Sequence, residues 1–439
     1  MDSLAILFVL YMVGCAGPQT ESSHQSEDEN IIEIDVVEES INNKQHHSGP
    51  SYYDDTKTDG TSAGTSQTSS TIKKPNIHIY VEISGSMYGY VGVGHGSDFR
   101  NMVFNYLTDV KISGIFEDMS LNFVNSKVIP LGSVVDDFVK KLDPNTFRVA
   151  GGNGGATDIA EIIKRVYPKG GEVAVLVSDC IISPGKGHNA SEYLSNQQTG
   201  IKGFLAQRPN LSQTGVIVYR MLGQFKGNYY DTVDSKKFYS GIRPYYVWVM
   251  GDVATLKELR RQTETKMKTQ PDKIGIITSG NKNVKYHILS GGGKYRLSHA
   301  DPKTTIDKVG KVKTSAGSRV VVKINVDYSQ MLQDEAYLTD VANYEVSDPM
   351  FRVDAVTKTS DSQYVITVSC TVIKKGSIYV RLKNKPPQWV AACSDTDGGF
   401  PNPKDTHQTT YGLSYLIGGV YDAYTFKSDN LAEMKITIK

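Results

Sequence analysis

Cysteine is scarce, with four in 439 residues, at positions 15, 180, 370 and 393. No Cys-x-x-Cys pair and no Cys/His cluster has zinc spacing, which excludes a structural zinc module. Cys370 and Cys393 fall in the same C-terminal region and either pair or stay as buried free thiols. Charge of one sign is also lacking. Lys plus Arg number 48 and Asp plus Glu 47, for a net charge of +1. No block of Lys and Arg interleaves with aromatics, so nothing predicts nucleic acid as a partner. Enzyme signatures are missing too: there is no His-Glu-x-x-His, no Gly-x-Ser-x-Gly and no Walker motif. Gly92-x-Gly94-x-Gly96 lacks both the Gly-Lys-Ser/Thr ending and the Rossmann spacing. Gly185-Lys186-Gly187-His188 is likewise no phosphate loop and reads as a mobile lid. Asp395-Thr396-Asp397-Gly398 lacks the downstream Glu of an EF-hand and reads as a simple turn. Beyond the first residues, no apolar run approaches the roughly 18 residues of a membrane-crossing helix.

The N-terminus is different. Residues 4–13, Leu-Ala-Ile-Leu-Phe-Val-Leu-Tyr-Met-Val, form an apolar segment of signal-peptide length. Gly14-Cys15-Ala16 follows, and the whole of 1–15 resembles a bacterial lipoprotein signal. That resemblance implies lipidation of Cys15, attachment to a membrane through the lipid, and a place in the cell envelope on the periplasmic or surface face of the outer membrane. Residues 16–74 read as a disordered polar tether, with scattered acids and a Thr-, Ser- and Gly-rich stretch from Thr56 to Thr71. Such a segment buries too little apolar surface to offset its ordering entropy. Ile31, Ile32, Ile34, Val36 and Val37 are a local exception that suits a short docking strand.

From Asn76 the pattern alternates between strand and helix. Strand-like runs are Ile77–Ile83, Val173–Val177, Val216–Tyr219 and Tyr245–Met250, and the last three are continuously apolar, as in strands covered on both faces. Phe99, Met102, Val103, Tyr106, Leu107 and Val110 repeat at helical spacing after Ser97 and Asp98. Ile159, Ile162, Ile163 and Val166 do the same before Pro168, and a third helix opens after Asp252. Residues 120–131 suit a short hairpin. Alternation of this kind predicts an α/β fold over 75–290, a doubly wound, mostly parallel sheet with helices on both faces. Over 291–439 the period becomes two, as in Val322, Ile324 and Val326 or Ile378, Val380 and Leu382, which predicts a β-rich, antiparallel, sandwich-like domain. Leu413, Leu416, Ile417, Val420, Tyr421 and Tyr424 suggest one helix there, weakened by Gly418-Gly419.

The chemistry concentrates at Glu82-Ile83-Ser84-Gly85-Ser86. A carboxylate and two hydroxyls stand at alternate positions where a core strand turns into a glycine-rich loop. Oxygen-only donors suit a hard cation, Mg²⁺ first, with Mn²⁺ or Ca²⁺ as alternatives. Thr157, in Gly154-Gly155-Ala156-Thr157-Asp158, and Asp179, after the run Val173–Val177, complete the set. Together they resemble the metal-ion-dependent adhesion site of a von Willebrand factor A (vWA) domain, whose pattern is Asp-x-Ser-x-Ser, a distant Thr and a distant Asp. The first acid here is Glu, whose carboxylate reaches about 1.3 Å further. It either ligates directly, shifts the preference toward Ca²⁺, or is satisfied by backbone amides in a degenerate site.

The resemblance implies that Ser84 and Ser86 bind the cation, that Thr157 binds it directly or through water, and that Glu82 and Asp179 hold waters behind. The open position would take a carboxylate from a protein ligand. The expectation is an adhesion- or assembly-type binding module, not an enzyme. A metal-dependent hydrolase and a scaffold with a degenerate site are the alternatives. Tyr88, Tyr90 and His95, among the glycines of 87–96, would be rim contacts, unless the glycines only allow a tight excursion.

Overall fold

The computed structural model describes residues 73–92, 96–153, 158–233, 235–280, 284–291, 295–309, 319–400 and 408–439. The signal segment, Cys15 and all but the end of the tether lie outside them, as do Thr157 and His95. No helix among the described residues is long and apolar enough to cross a membrane.

The first part of the chain runs β1 (Ile77–Glu82), α1 (Tyr88–Val91), α2 (Ser97–Ile112), β2 (Met119–Val124), β3 (Val128–Pro130), α3 (Val135–Lys140), α4 (Pro144–Val149), α5 (Ile159–Val166), β4 (Val173–Ser178), α6 (Ala190–Ala206), β5 (Thr214–Tyr230), β6 (Lys236–Asp252), α7 (Val253–Thr263) and β7 (Lys273–Thr278). The strands form one seven-stranded sheet in the order β3-β2-β1-β4-β6-β5-β7. β4 shows why its sequence is apolar throughout. Val173, Val175 and Val177 enter one core with α2, α3, α4 and α7. Ala174 and Leu176 enter the other with α5 and α6. Covering both faces contributes roughly 1.5–3 kcal/mol for each large aliphatic side chain buried.

The sheet is mixed, not mostly parallel. β1 pairs in parallel with β2 and with β4. Every other neighbouring pair is antiparallel. A continuous apolar run reports burial on both faces, not strand direction, so β5 and β6 gave no sign of their hairpin. These two strands are also far longer than their apolar runs, 17 residues each. Their outer halves alternate buried and exposed residues, and they overshoot the sheet as a two-stranded strap.

The second part adds β8 (Lys285–Ile288), β9 (Tyr295–Leu297), β10 (Thr305–Val309), β11 (Val320–Asp327), α8 (Glu335–Thr339), β12 (Tyr344–Val346), β13 (Phe351–Lys358), β14 (Gln363–Cys370), β15 (Gly376–Lys383), α9 (Gln388–Ala392), β16 (Ser394–Asp395), β17 (Thr410–Tyr411), α10 (Leu413–Tyr424) and β18 (Asn430–Ile438). A four-stranded sheet, β13-β14-β11-β8, and a five-stranded sheet, β12-β15-β18-β10-β9, share one apolar core. Pairing within these two sheets is antiparallel except between β10 and β18, and the separate pair β16–β17 is parallel. α9 and α10 leave this sandwich and pack on the first sheet, where Val390, Leu413, Leu416, Ile417 and Val420 join the core of α5 and α6. The Gly418-Gly419 pair does not weaken α10. A Cβ on Gly419 would stand 2.6 Å from the Gln198 carbonyl oxygen, so glycine is what allows α10 to lie against α6. Cys370 sits in the sandwich core and Cys393 in that of the first sheet, both buried and free.

Candidate metal centre

β1, β2 and β4 run parallel, so their carboxyl ends share one rim, the place where open α/β sheets bind ligands. Glu82 is the last residue of β1 and lies beside Ser178, the last of β4. Ile83 still bonds to the carbonyl of Val124 at 3.0 Å. The chain then turns through a 3₁₀ segment, Gly85–Met87, preceded by Ser84 in extended conformation. The Ser84 hydroxyl caps nothing in that turn and meets the Ser86 hydroxyl at 2.9 Å.

Asp179 is delivered by a strained turn. Cys180 has φ 56°, in the left-handed region that side chains with a Cβ disfavour. It is held there from both ends: its N–H donates to the Ser178 hydroxyl at 2.9 Å, and its sulfur accepts from the Trp248 indole at 3.2 Å. Ser178 in turn donates to Glu82 Oε2. Ser178 was not legible as a site residue because it reads as the polar end of an apolar strand.

Glu82, Ser84 and Asp179 are 4%, 6% and 1% exposed, and that burial sets the electrostatics. The Glu82 carboxyl is pushed up to about 8, by burial first and by the neighbouring Asp179 charge second, against hydrogen bonds from Ser178 and Ser84. Burial also raises Asp179, opposed by the Ser86 hydroxyl, the Ile181 N–H at 3.2 Å and the Arg243 charge. The Ser86 hydroxyl lies beside that carboxyl, yet Asp179 Oδ2 is buried with no donor in hydrogen-bond geometry. Glu82, Ser84, Ser86 and Asp179 are therefore brought together. Thr157 lies outside the described residues. On the near side of that segment, the Asn153 N–H bonds to the Ser126 hydroxyl at 2.8 Å just past β2, and on the far side Asp158 caps α5.

A long strap roofs this rim. The inner face of the β5–β6 overshoot, with Phe225, Gly227, Tyr229, Tyr239 and Arg243, turns toward the loop after β1. A Cβ on Gly227 would stand 2.9 Å from Gly89 Cα, and the Tyr230 ring covers Gly85. The strap's tip is stitched to the loop after Asp179: the Ser183 hydroxyl bonds to the Asp231 carbonyl at 3.0 Å and the Gly185 N–H to the Thr232 carbonyl at 3.1 Å. Tyr90 is fully buried and donates to the Pro244 carbonyl at 2.6 Å, so it is a wall of the strap's seat and not a rim contact. The Asp395 carboxylate accepts from the N–H groups of Asp397 and Gly398, which makes 395–398 a self-satisfied turn.

No family model, curated protein or solved structure matches the chain. What the site can do rests on its donor set. Among the described residues no three His, Cys, Asp or Glu side chains cluster. Two carboxyls and two hydroxyls meet here, all oxygen donors of the kind that hard cations take, and Asp179 Oδ2 is the one buried without a donor in hydrogen-bond geometry.

Proposed function

We propose that this chain is a cell-envelope lipoprotein, anchored through Cys15, with a vWA-like binding domain that takes a divalent cation at Ser84, Ser86 and Asp179 and, through it, a protein or other anionic ligand. Thr157 and Glu82 complete the proposed set. Mg²⁺ is the first choice, ahead of Mn²⁺ and Ca²⁺, because the donors are few, hard and held at a rigid strand end. The observation that supports this is the buried, unpaired Asp179 oxygen beside two hydroxyls that bond to each other. The parallel half of the sheet supplies the common rim such a site needs; the antiparallel half departs from the vWA expectation.

A second reading has its own support. Glu82 holds its proton near neutral pH and accepts from Ser178, which suits a closed, cation-free structural site. Calorimetric titration of the full chain with Mg²⁺, Mn²⁺ and Ca²⁺ separates the two. The binding reading expects saturable heat that is lost in Ser84→Ala/Ser86→Ala with an unchanged circular-dichroism spectrum. Heat from none of the three ions leaves the structural reading.

A further inference from the structure

Arg243 is the least explained residue in the molecule. It lies on the inner face of the strap, opposite Gly223, and is 1% exposed. Nε and both terminal nitrogens of its guanidinium are buried with no partner in hydrogen-bond geometry, although the Tyr229 hydroxyl lies beside the group. Native structures rarely leave one such nitrogen unsatisfied, and a charged group with three points to something held there. The flat face of the guanidinium is already used: its Cζ lies 4.7 Å from the Tyr229 ring centroid and 6.0 Å from that of Tyr239. Stacking satisfies the π-face and leaves the in-plane N–H edge open.

Asp179 is the complementary case. Its charge and that of Arg243 feel each other, yet the two form no ion pair, and Oδ2 keeps no partner. Ser178, the residue before Asp179, pairs with Tyr246 on β6, three residues from Arg243, so an oxygen that needs a cation and an edge that needs an acceptor lie at the same end of the sheet. Charge balance says what suits them. A divalent cation and one guanidinium beside the carboxyls of Glu82 and Asp179 leave a buried positive surplus even with both carboxyls ionised, which an anion offsets. A planar edge of N–H donors matches the two oxygens of a carboxylate.

We infer that Arg243 and the cation site form one composite site for a carboxylate, which bridges the cation at Ser84, Ser86 and Asp179 and the open edge of the Arg243 guanidinium. This rests on the cation reading proposed above and gives the carboxylate expected there a second anchor. The cation and the carboxylate then bind interdependently, each strengthening the other by the same factor. The carboxylate comes either from a free small acid or from an Asp side chain on a partner.

The test is calorimetric titration of Mn²⁺ into the full chain, in chloride and in chloride partly replaced by sodium acetate at constant ionic strength. Acetate is expected to tighten Mn²⁺ at least tenfold. Arg243→Met is expected to tighten Mn²⁺ alone, because a repulsive charge is gone, and to remove the acetate effect. Arg243→Lys keeps the charge but not the fork and is expected to lose most of that effect, which guards against misfolding of the Met variant. A blocked Gly-Asp-Gly peptide in place of acetate separates the sources: coupling with the peptide assigns a partner's side chain, and coupling with acetate alone a free acid. Mn²⁺ binding that ignores both acetate and the peptide, or coupling that survives Arg243→Met, overturns the inference and leaves the cation reading standing. No Mn²⁺ binding under any condition overturns both.

Discussion

Two buried arginines lie on the same hairpin, and their surroundings differ completely. Arg220, 3% exposed, faces Tyr246 across the ladder where β5 and β6 are still inside the sheet. It pairs with Asp272 and donates to the Gln408 carbonyl at 2.7 Å. Arg243, 1% exposed, sits where the same two strands have become the strap, among tyrosine rings and with no acceptor in hydrogen-bond geometry on its nitrogens. Inside the sheet, the neighbouring strand and loop supply partners for a buried charge. On the strap only one face is covered by protein, and the charge is left for something else. A buried ion is thus structural in the first region and available in the second.

The comparison predicts unequal costs. Arg220→Met leaves Asp272 without its cation and is expected to lower stability by about 3 kcal/mol in urea titration. Arg243→Met replaces an unpaired charge by an apolar chain of similar reach and is expected to cost less than about 1 kcal/mol or to stabilise. Equal losses would break the contrast. A next, smaller effect concerns how the strap is seated. Gly227→Ala puts a methyl against Gly89 backbone and is expected to cost about 2 kcal/mol, with faster amide exchange over 223–243. An unaffected variant would mean that the strap does not rest on α1.

A last effect, read as a pH dependence, sharpens the site's own electrostatics. Glu82 has a folded pKa of about 8 against an unfolded value of 4.5. Between these values the folded state binds the extra proton, so stability falls as pH rises from 4.5 and the loss is complete above 8. Glu82→Gln mimics the protonated form. In EDTA it is expected to match the wild type below pH 4.5 and to exceed it at pH 8.5 by more than about 1.4 kcal/mol, the equivalent of one pKa unit. A constant difference across that range would place the proton elsewhere.

Much of the fold was legible. The helical repeat from Phe99 to Val110 and the stop before Pro168 lie in α2 and α5, and Asp252 caps α7 as its position before an apolar repeat predicts. The hairpin at 120–131 is β2 with β3. Strand direction was not legible, since apolar runs carry no sign of it. The strap was missed because Gly223, Gly227, Gly241 and Pro244 break the β pattern in sequence while serving close approach in space. α6 was missed because its polar residues outnumber Leu194, Ile201 and Leu205, the buried face. At the site, alternation within 82–86 was enough to find Glu82, Ser84 and Ser86 together. Ser178 and Arg243 were not found, because neither belongs to a local pattern: one is tied to Glu82 across two strands, the other arrives from an overshoot that only the fold creates.

Helix α10 sets an order of events. β7 ends at Thr278, but the helix that closes one face of its sheet begins only at Leu413. During synthesis the strands are made long before their cover, and the apolar side of α6 waits open until Tyr424 has emerged. The first sheet therefore cannot cover that face before α10 has been made. A fragment cut at residue 290 keeps the rim residues but exposes that face to aggregation, so the site depends on α10. For an exported protein, as proposed above, the delay keeps the polypeptide threadable until the crossing is over.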